Sequence, residues 1–172
     1  AWFARALVAA GSDQFDQSEA AARRAAELRP DWNEPKIFLV QVLINQEKQD
    51  EARETLERFV SEQPDDHGLR MLYAQLLVED KEYSRARELF EYMLEEKPEE
   101  PDVLFALGIL SLQLEDLDPA REYFTRLRRT DQRQSEAAYY LGQVEELSGD
   151  PELAVDWYSK VRGEHGLDAQ IR

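Results

Sequence analysis

The chain has 172 residues, of which 42% are apolar and 34% charged, and its formal net charge is −16. This composition is typical of a folded globular protein and excludes a disordered chain, and a negative charge of that size disfavours nucleic acid or an anionic lipid surface as a partner. The sequence holds no cysteine, which excludes disulfides and thiolate chemistry, and no apolar run is long enough to cross a bilayer.

The negative charge is distributed unevenly. Residues 1–30 carry four acids and four bases (net 0), residues 31–100 nineteen and nine (net −10), and residues 101–172 fourteen and eight (net −6). We expect such a surface to favour neutral or basic partners. The alternative is that the acids only keep an extended surface soluble.

A period of 34 residues runs along the chain. Five series of residues follow it: Pro30, Pro64 and Pro98; Ala52, Ala86, Ala120 and Ala154; Asp16, Asp50, Ser84 and Asp118; Leu56, Phe90, Phe124 and Tyr158; and the pairs Leu107-Gly108 and Leu141-Gly142. All five keep one relative phase, which chance does not readily produce. The period predicts stacked structural repeats, since units this short bury an apolar face only against their neighbours.

Each period predicts two helices of about a dozen residues. The first helices of successive units are expected over Lys36 to Gln46, Leu69 to Glu79, Val103 to Leu114 and Ala137 to Leu147. The second helices are predicted to start at N-caps formed by Asp16, Asp50, Ser84 and Asp118 and to end before the closing prolines. Proline at the first helical position is expected in Asp118-Pro119 and Asp150-Pro151.

One apolar stripe is predicted on each second helix. Its members recur at i, i+4 and i+7: Ala52, Leu56 and Phe59; Ala86, Phe90 and Met93; Ala120, Phe124 and Leu127. This spacing puts all three members on one face of a helix. The small alanine marks the place where a neighbouring helix must approach closely.

These features together resemble the tetratricopeptide repeat (TPR). The likeness rests on the 34-residue period, the Leu-Gly pair in the first helix, the alanine and aromatic in the second, and the closing proline. It implies an all-α fold, a right-handed superhelical solenoid of about five helix-turn-helix hairpins. The expected units form a single array over 1–32, 33–66, 67–100, 101–134 and 135–168, with the start of a sixth at 169–172.

The resemblance is weaker at three places. In the first unit Trp2 matches a common family residue, but Ser18 and Ala22 replace the usual alanine and aromatic. In the fourth, Gln132 stands where proline is expected, which predicts a looser turn or a continuous helix into the fifth hairpin. Residues from Ala169 onwards read as the first few of a sixth repeat. We therefore expect the chain to be a fragment of a longer protein.

The sequence offers no arrangement of residues suited to catalysis. His67 and His165 lie nearly three repeats apart, so neither could orient the other. No His or Cys cluster has metal-ligand spacing, and the acidic pairs lack the pattern of a calcium loop. No glycine-rich phosphate loop is present. We predict no enzymatic activity, no metal and no cofactor.

The family resemblance implies a partner-binding groove lined by the first helices. The matching positions are Ile37, Gln41, Ile44, Asn45, Met71, Gln75, Val78, Glu79, Phe105, Ile109, Leu112, Gln113, Tyr139, Gln143 and Glu146. The row lacks the lysines and asparagines with which one subgroup of the family grips a C-terminal carboxylate. It is apolar and mildly acidic, and suits an amphipathic helix or an extended apolar peptide with basic flanks. The alternative is that these side chains pack against neighbouring repeats.

A basic run interrupts the acidity of the chain. It consists of Arg121, Arg126, Arg128, Arg129 and Arg133. One interpretation is a docking patch for an acidic partner or a second copy of the chain. The other, which we favour, is a solvated helix face whose cations interact well with the helix C-terminus.

These observations predict a non-catalytic scaffold or adaptor for protein partners. As a whole the sequence resembles a proteobacterial outer-membrane TPR lipoprotein that serves as adaptor for a periplasmic carboxyl-terminal processing protease. The resemblance implies that the chain binds and activates the protease and presents substrates to it. It also implies a periplasmic location, with anchoring through a segment outside this sequence; a cytoplasmic location is the alternative. The alternative functions are the regulatory or substrate-docking arm of a larger enzyme and an envelope-assembly factor.

Overall fold

The computed structural model describes residues 1–161, and that part of the chain is all-helical. Its ten helices are α1 (Trp2–Ala10), α2 (Phe15–Leu28), α3 (Glu34–Asn45), α4 (Gln49–Glu62), α5 (His67–Glu79), α6 (Tyr83–Glu96), α7 (Pro101–Gln113), α8 (Leu117–Arg129), α9 (Gln134–Ser148) and α10 (Pro151–Ser159). The predicted first helices are confirmed to within three residues at each end. His165 and the predicted sixth repeat lie outside the described residues.

The chain divides into two compact units, Ala1–Asp80 and Lys81–Arg172. In the first unit α1 packs on α2 and α3 packs on α4, which gives two hairpins. Packing of α2 on α3 holds the two hairpins together, and α5 packs on α4. In the second, α7 packs on α8 and α9 on α10, with further packing of α6 on α7 and α8 on α9. Within each unit, therefore, helices adjacent in sequence are adjacent in space, as a solenoid requires. The predicted all-α solenoid class is confirmed.

The apolar stripes of the second helices form the core. Ala52, Leu56, Ala120, Phe124 and Leu127 are wholly buried. The other stripe members are at most 6% exposed. In the weaker first repeat Ser18 is buried as well, and its hydroxyl donates a 2.9 Å hydrogen bond to the carbonyl of Ala6 in α1. That bond satisfies a polar group which burial would otherwise penalise.

The predicted N-caps are wrong for the four repeat positions. Each of these residues is the second residue of its helix and not the residue before it, because the helix begins one position before the predicted cap. This holds for Asp16 in α2, Asp50 in α4, Ser84 in α6 and Asp118 in α8. The three aspartates still place negative charge in the first turn, where the helix dipole favours it. Pro119 is accordingly the third helical residue. Asp150-Pro151 behaves as predicted: Pro151 opens α10, and the Asp150 carboxylate accepts from the backbone N–H of Leu153 at 3.0 Å.

A left-handed residue in the turn between the two helices of each hairpin explains the shift. Asp13, Glu47, Lys81 and Glu115 have φ between 54° and 62°, and Gly149 has φ 85°. These five positions are again 34 residues apart. The next residue's N–H then bonds back to the first helix, for example from Lys48 to Leu43 at 3.0 Å, and so closes the helix end. The second helix of each hairpin then begins two residues after the left-handed residue.

Replacing Glu115 with glycine is expected to raise the free energy of unfolding by about 0.5–1 kcal/mol, because only glycine adopts φ 60° without a side-chain clash. Gly149→Ala should lower it by about 1 kcal/mol for the same reason. Glu122→Gly, in the interior of α8, is the control and should be destabilising by about 1 kcal/mol. Urea unfolding measures all three. A loss of stability in Glu115→Gly would contradict the strain argument.

The second helices end as the prolines predict. Pro30, Pro64 and Pro98 each lie two residues beyond the last residue of α2, α4 and α6. Where proline is missing, α8 nevertheless ends at Arg129, so the alternative of a continuous helix into α9 is wrong. At this helix end the Thr130 hydroxyl donates to the Leu127 carbonyl at 2.7 Å, which gives a carbonyl of the last turn a partner.

Candidate partner-binding surface

In the first unit, the predicted groove residues lie on the accessible faces of α3 and α5. Gln41, Asn45, Gln75 and Glu79 are exposed, whereas the apolar members Ile37, Ile44, Met71 and Val78 are half-buried. The two helices are neighbours here, since a Cβ added to Gly68 at the start of α5 would lie 3.6 Å from Cδ1 of Ile37. Neither Gln41 nor Gln75 forms a side-chain hydrogen bond to another described residue. Their amides are therefore available to a peptide backbone.

In the second unit, the corresponding residues of α7 and α9 are tied together by aromatic contacts. Phe105 meets Tyr140 edge-to-face at a centroid distance of 5.4 Å, and the guanidinium of Arg133 lies 3.6 Å from the Phe105 ring centroid. Tyr139 meets Tyr140 at 5.3 Å and Tyr158 at 5.9 Å. The remaining apolar members, Ile109 and Leu112, are half-buried.

Several polar members of this second surface already have partners. The amide of Gln113 donates to the Tyr83 hydroxyl at 2.8 Å. The Glu146 carboxylate accepts from the Tyr158 hydroxyl at 2.8 Å. The Gln143 amide donates a weaker bond of 3.3 Å to the hydroxyl of Tyr139. The polar side chains of the second surface thus have more hydrogen-bond partners within the chain than Gln41 and Gln75 of the first.

Ionisable groups near these surfaces respond to their surroundings. Burial raises the pKa of Tyr140, and the nearby Tyr139 and Glu136 add to the rise. In the first unit, burial also acts to raise the pKa of Glu19, but hydrogen bonds from Lys48 and Arg23 outweigh it, so the net pKa is lowered. Both effects keep a group in its ordinary form at neutral pH, and neither provides an acid or base suited to catalysis.

Most of the basic run is engaged in contacts within the second unit, and it is not the freely solvated face that the charge pattern favours. Arg121 makes two bonds, of 2.8 and 3.1 Å, to the Glu145 carboxylate on the next helix. Arg126 donates to the Pro98 carbonyl at 2.6 Å, and Arg128 lies over the Trp157 ring at 5.5 Å. Arg133 pairs with Asp102 and Glu136 at 3.0 and 2.9 Å; Arg129 alone is exposed. These cations chiefly join neighbouring helices of the second unit.

Replacing Arg121 with methionine is expected to be destabilising by about 1–3 kcal/mol. The Glu145 side chain is only 6% accessible, and without the arginine its charge stays buried and unpaired. The expected loss lies below that of a fully buried pair because Arg121 is itself 35% accessible. Arg129→Met is the matched control and should change stability by less than about 0.5 kcal/mol. Thermal unfolding at neutral pH compares them, and equal losses in both variants would contradict the pairing role.

Neither a metal centre nor a membrane-crossing element occurs in the described part of the chain. Within residues 1–161, no three His, Asp or Glu side chains are grouped so that they could hold a metal ion. Among the helices of that range, none is both long and apolar enough to span a bilayer. His67, one of the two histidines considered for catalysis, is half-buried at the first turn of α5.

Two family models match the sequence, and both describe a tetratricopeptide repeat. One covers residues 39–101 and the other residues 77–144. Residues 39–144 belong to the tetratricopeptide repeat family. TPR domains bind protein partners and are generally non-catalytic scaffolds, in agreement with the predicted class of function. No curated protein matches this sequence.

Solved TPR structures share the fold. A MamA structure of AMB-1 is 18% identical, with a TM-score of 0.71 over 98% of this chain and 95% of its own. MamA of Desulfovibrio magneticus RS-1 is 15% identical, with a TM-score of 0.77 over 99% and 93%. A tetratricopeptide repeat protein of Parabacteroides merdae is 17% identical, with a TM-score of 0.78 over 92% and 63%. At such identities the likeness concerns the fold alone.

Proposed function

We propose that this TPR chain is a non-catalytic scaffold that binds an amphipathic helix or an extended apolar segment with basic flanks. The observation that carries the proposal is the exposure of the predicted row: none of its fifteen positions is buried, although the same helices bury other residues completely. In the first unit the row alternates apolar side chains with amides, which are suited to the apolar face and the backbone of a peptide. The acidic surface around it favours basic flanks.

Site-specific photocrosslinking tests the proposed surface. A photoreactive amino acid at Gln41 or Gln75 is expected to form covalent adducts with a protein partner in cells that produce the protein. Gln49, equally exposed but on α4, is the matched control and should form none. These positions make little contact with the core, so the label should not disturb folding. Adducts at Gln49 with none at Gln41 or Gln75 would place the binding surface on the second helices.

More specifically, we propose that the partner is a periplasmic carboxyl-terminal processing protease, to which the chain presents substrates. The resemblance of the whole sequence to outer-membrane TPR adaptors supports this choice, together with the family's role as a scaffold. Adding the purified chain to such a protease should increase its cleavage rate toward a cell-wall hydrolase. Gln41→Ala combined with Gln75→Ala should reduce the increase, and Gln49→Ala should not. An unchanged cleavage rate would remove the protease from the proposal and leave the scaffold function to the crosslinking result.

The proposed location is periplasmic, as this partner requires. A fractionation of the producing cells, with antibody detection of the chain, tests it independently of the partner. Recovery in the cytoplasmic fraction would contradict the location and the protease together.

A further inference from the structure

A cavity of about 310 Å³ lies between α2, α3 and α4 in the first unit. Its wall contains three cations, Arg23, Lys36 and Arg58, together with the ring of Phe59. The cavity shares no lining residue with the face that carries Ile37 and Gln41. Its volume is near the lower end of the ~300–1,000 Å³ range of small-ligand sites.

Lys36 is the unusual member of this wall. Its side chain is buried to 98%, with 2% exposed, although lysine is among the residues least often buried. Its ammonium donates to the side-chain oxygen of Gln63 and lies 5.2 Å from the Phe59 ring centroid. It forms no ion pair with any described residue. An ammonium has three donors, and one neutral acceptor with one ring face does not offset the loss of water around a full charge.

A second cation stands beside the same ring without a counter-charge. The guanidinium of Arg58 lies 5.3 Å from the Phe59 centroid and pairs with no carboxylate of the described part of the chain. Arg23, by contrast, is held by Glu19 and Glu51. Two acids also line the cavity, but Glu27 pairs with Arg24. Among the charged residues of the cavity wall, those without an ionic partner in the described part of the chain are Lys36, Arg58 and Glu62, and their charges sum to +1.

In the second unit, apolar residues occupy the position that Lys36 takes in the first. The residues that share the register of Lys36, at steps of 34, are Trp2, Arg70, Leu104, Ala138 and Arg172, the last of which lies outside the described residues. Arg70, in the same unit as Lys36, is likewise a buried cation, 3% exposed. Leu104 and Ala138 are wholly buried and 1% exposed, so an apolar side chain satisfies the packing of the same site in the second unit. A buried lysine there adds a desolvation cost that a hydrocarbon would avoid. A ligand that neutralises the charge would account for its presence.

We propose that this cavity binds a carboxylate group carried on a short apolar stem. The carboxylate would accept hydrogen bonds from Lys36 and from the planar fork of Arg58. The stem would lie on the apolar wall formed by Leu39, Ala26 and Phe59. A free organic acid and an acidic side chain of a protein partner offer the same chemistry. The site is separate from the proposed groove, so its failure would leave the scaffold function untouched.

Nuclear magnetic resonance of the lysine side chains in the whole chain tests the proposal. Butyrate is the free-acid probe and butyramide its neutral control; a capped Ala-Glu-Ala peptide and its Ala-Gln-Ala counterpart represent a partner side chain. We expect the Lys36 resonance to shift saturably with butyrate, with the Glu peptide or with both, and not with the neutral controls. Saturation by butyrate alone assigns the site to a free acid, and saturation by the peptide assigns it to a partner. No saturable shift with either, or an equal shift with sodium chloride, overturns the proposal.

Two variants separate the site from general charge effects. Arg58→Gln should weaken binding of the effective probe about tenfold, the expected loss of one charged hydrogen bond. Lys36→Met should abolish binding as followed by the Leu39 methyl resonances, and its circular dichroism should stay that of the parent because the register tolerates apolar residues. Lys48→Met, at a lysine of the same unit outside the cavity, is the matched control and should bind normally. Unchanged affinity in both Arg58→Gln and Lys36→Met would refute the assignment.

Discussion

Replacing Phe124 with alanine is expected to lower the free energy of unfolding by about 3–5 kcal/mol. The ring is wholly buried and stacks on Tyr140 at a centroid distance of 5.1 Å, with an interplanar angle of 11°. It also meets the edge of Phe105 at 6.3 Å. Truncation would remove these contacts and leave a cavity that neighbouring helices can fill only in part. Urea unfolding followed by circular dichroism measures the loss.

Two further variants make this result specific to the repeat phase. Phe90→Ala removes the register equivalent, which is 1% exposed, and should cost a similar amount. Val155→Ala, at a residue of α10 that is 60% exposed, is the control and should change stability by less than about 0.5 kcal/mol. Near-neutral effects in both phenylalanine variants would refute the assignment of these residues to a shared core position.

Replacing Gly108 with alanine is expected to destabilise the chain by about 1–3 kcal/mol, despite the higher helix propensity of alanine. A Cβ built on Gly108 would lie 2.6 Å from the Phe124 ring, closer than two carbon atoms can approach. Residue 108 lies in the interior of α7 and the Phe124 ring is packed on all sides, so neither the backbone of α7 nor the ring has room to move. The clash should therefore outweigh the gain of about 1 kcal/mol from propensity.

A double-mutant cycle isolates this contact. In a Phe124→Leu background the space opposite residue 108 widens, so Gly108→Ala should become neutral or stabilising. The first unit shows a related pair, since Val40 and Leu56 occupy the same registers there and both are wholly buried. Gly11→Ala is the control because its nearest neighbours would lie 3.6 Å away, in ordinary contact. Additive effects of the two substitutions would contradict the proposed clash.

The positions of the candidate groove row follow from the family resemblance and not from local pattern alone. The structure places the members of this row on accessible helix faces. The arginine run shows the limit of reasoning from local pattern. Its charge pattern indicated a solvated face, but Arg121 and Glu145 are 24 residues apart, and only the packing of α8 on α9 brings them together.

The sequence by itself determined the period, the number and order of the helices and the residues of the core. It could do so because each is a local property: helix-forming composition, the i, i+4, i+7 spacing of apolar side chains and the proline stops all act within one 34-residue unit. Only the structure decided where the second helices begin. The left-handed residues that precede them, such as Glu47 and Glu115, are not glycines, so the sequence does not mark these turns. The structure also decided that Lys36 is buried beside Phe59. This burial results from the packing of one helix on another, which the residues next to Lys36 in the sequence do not indicate.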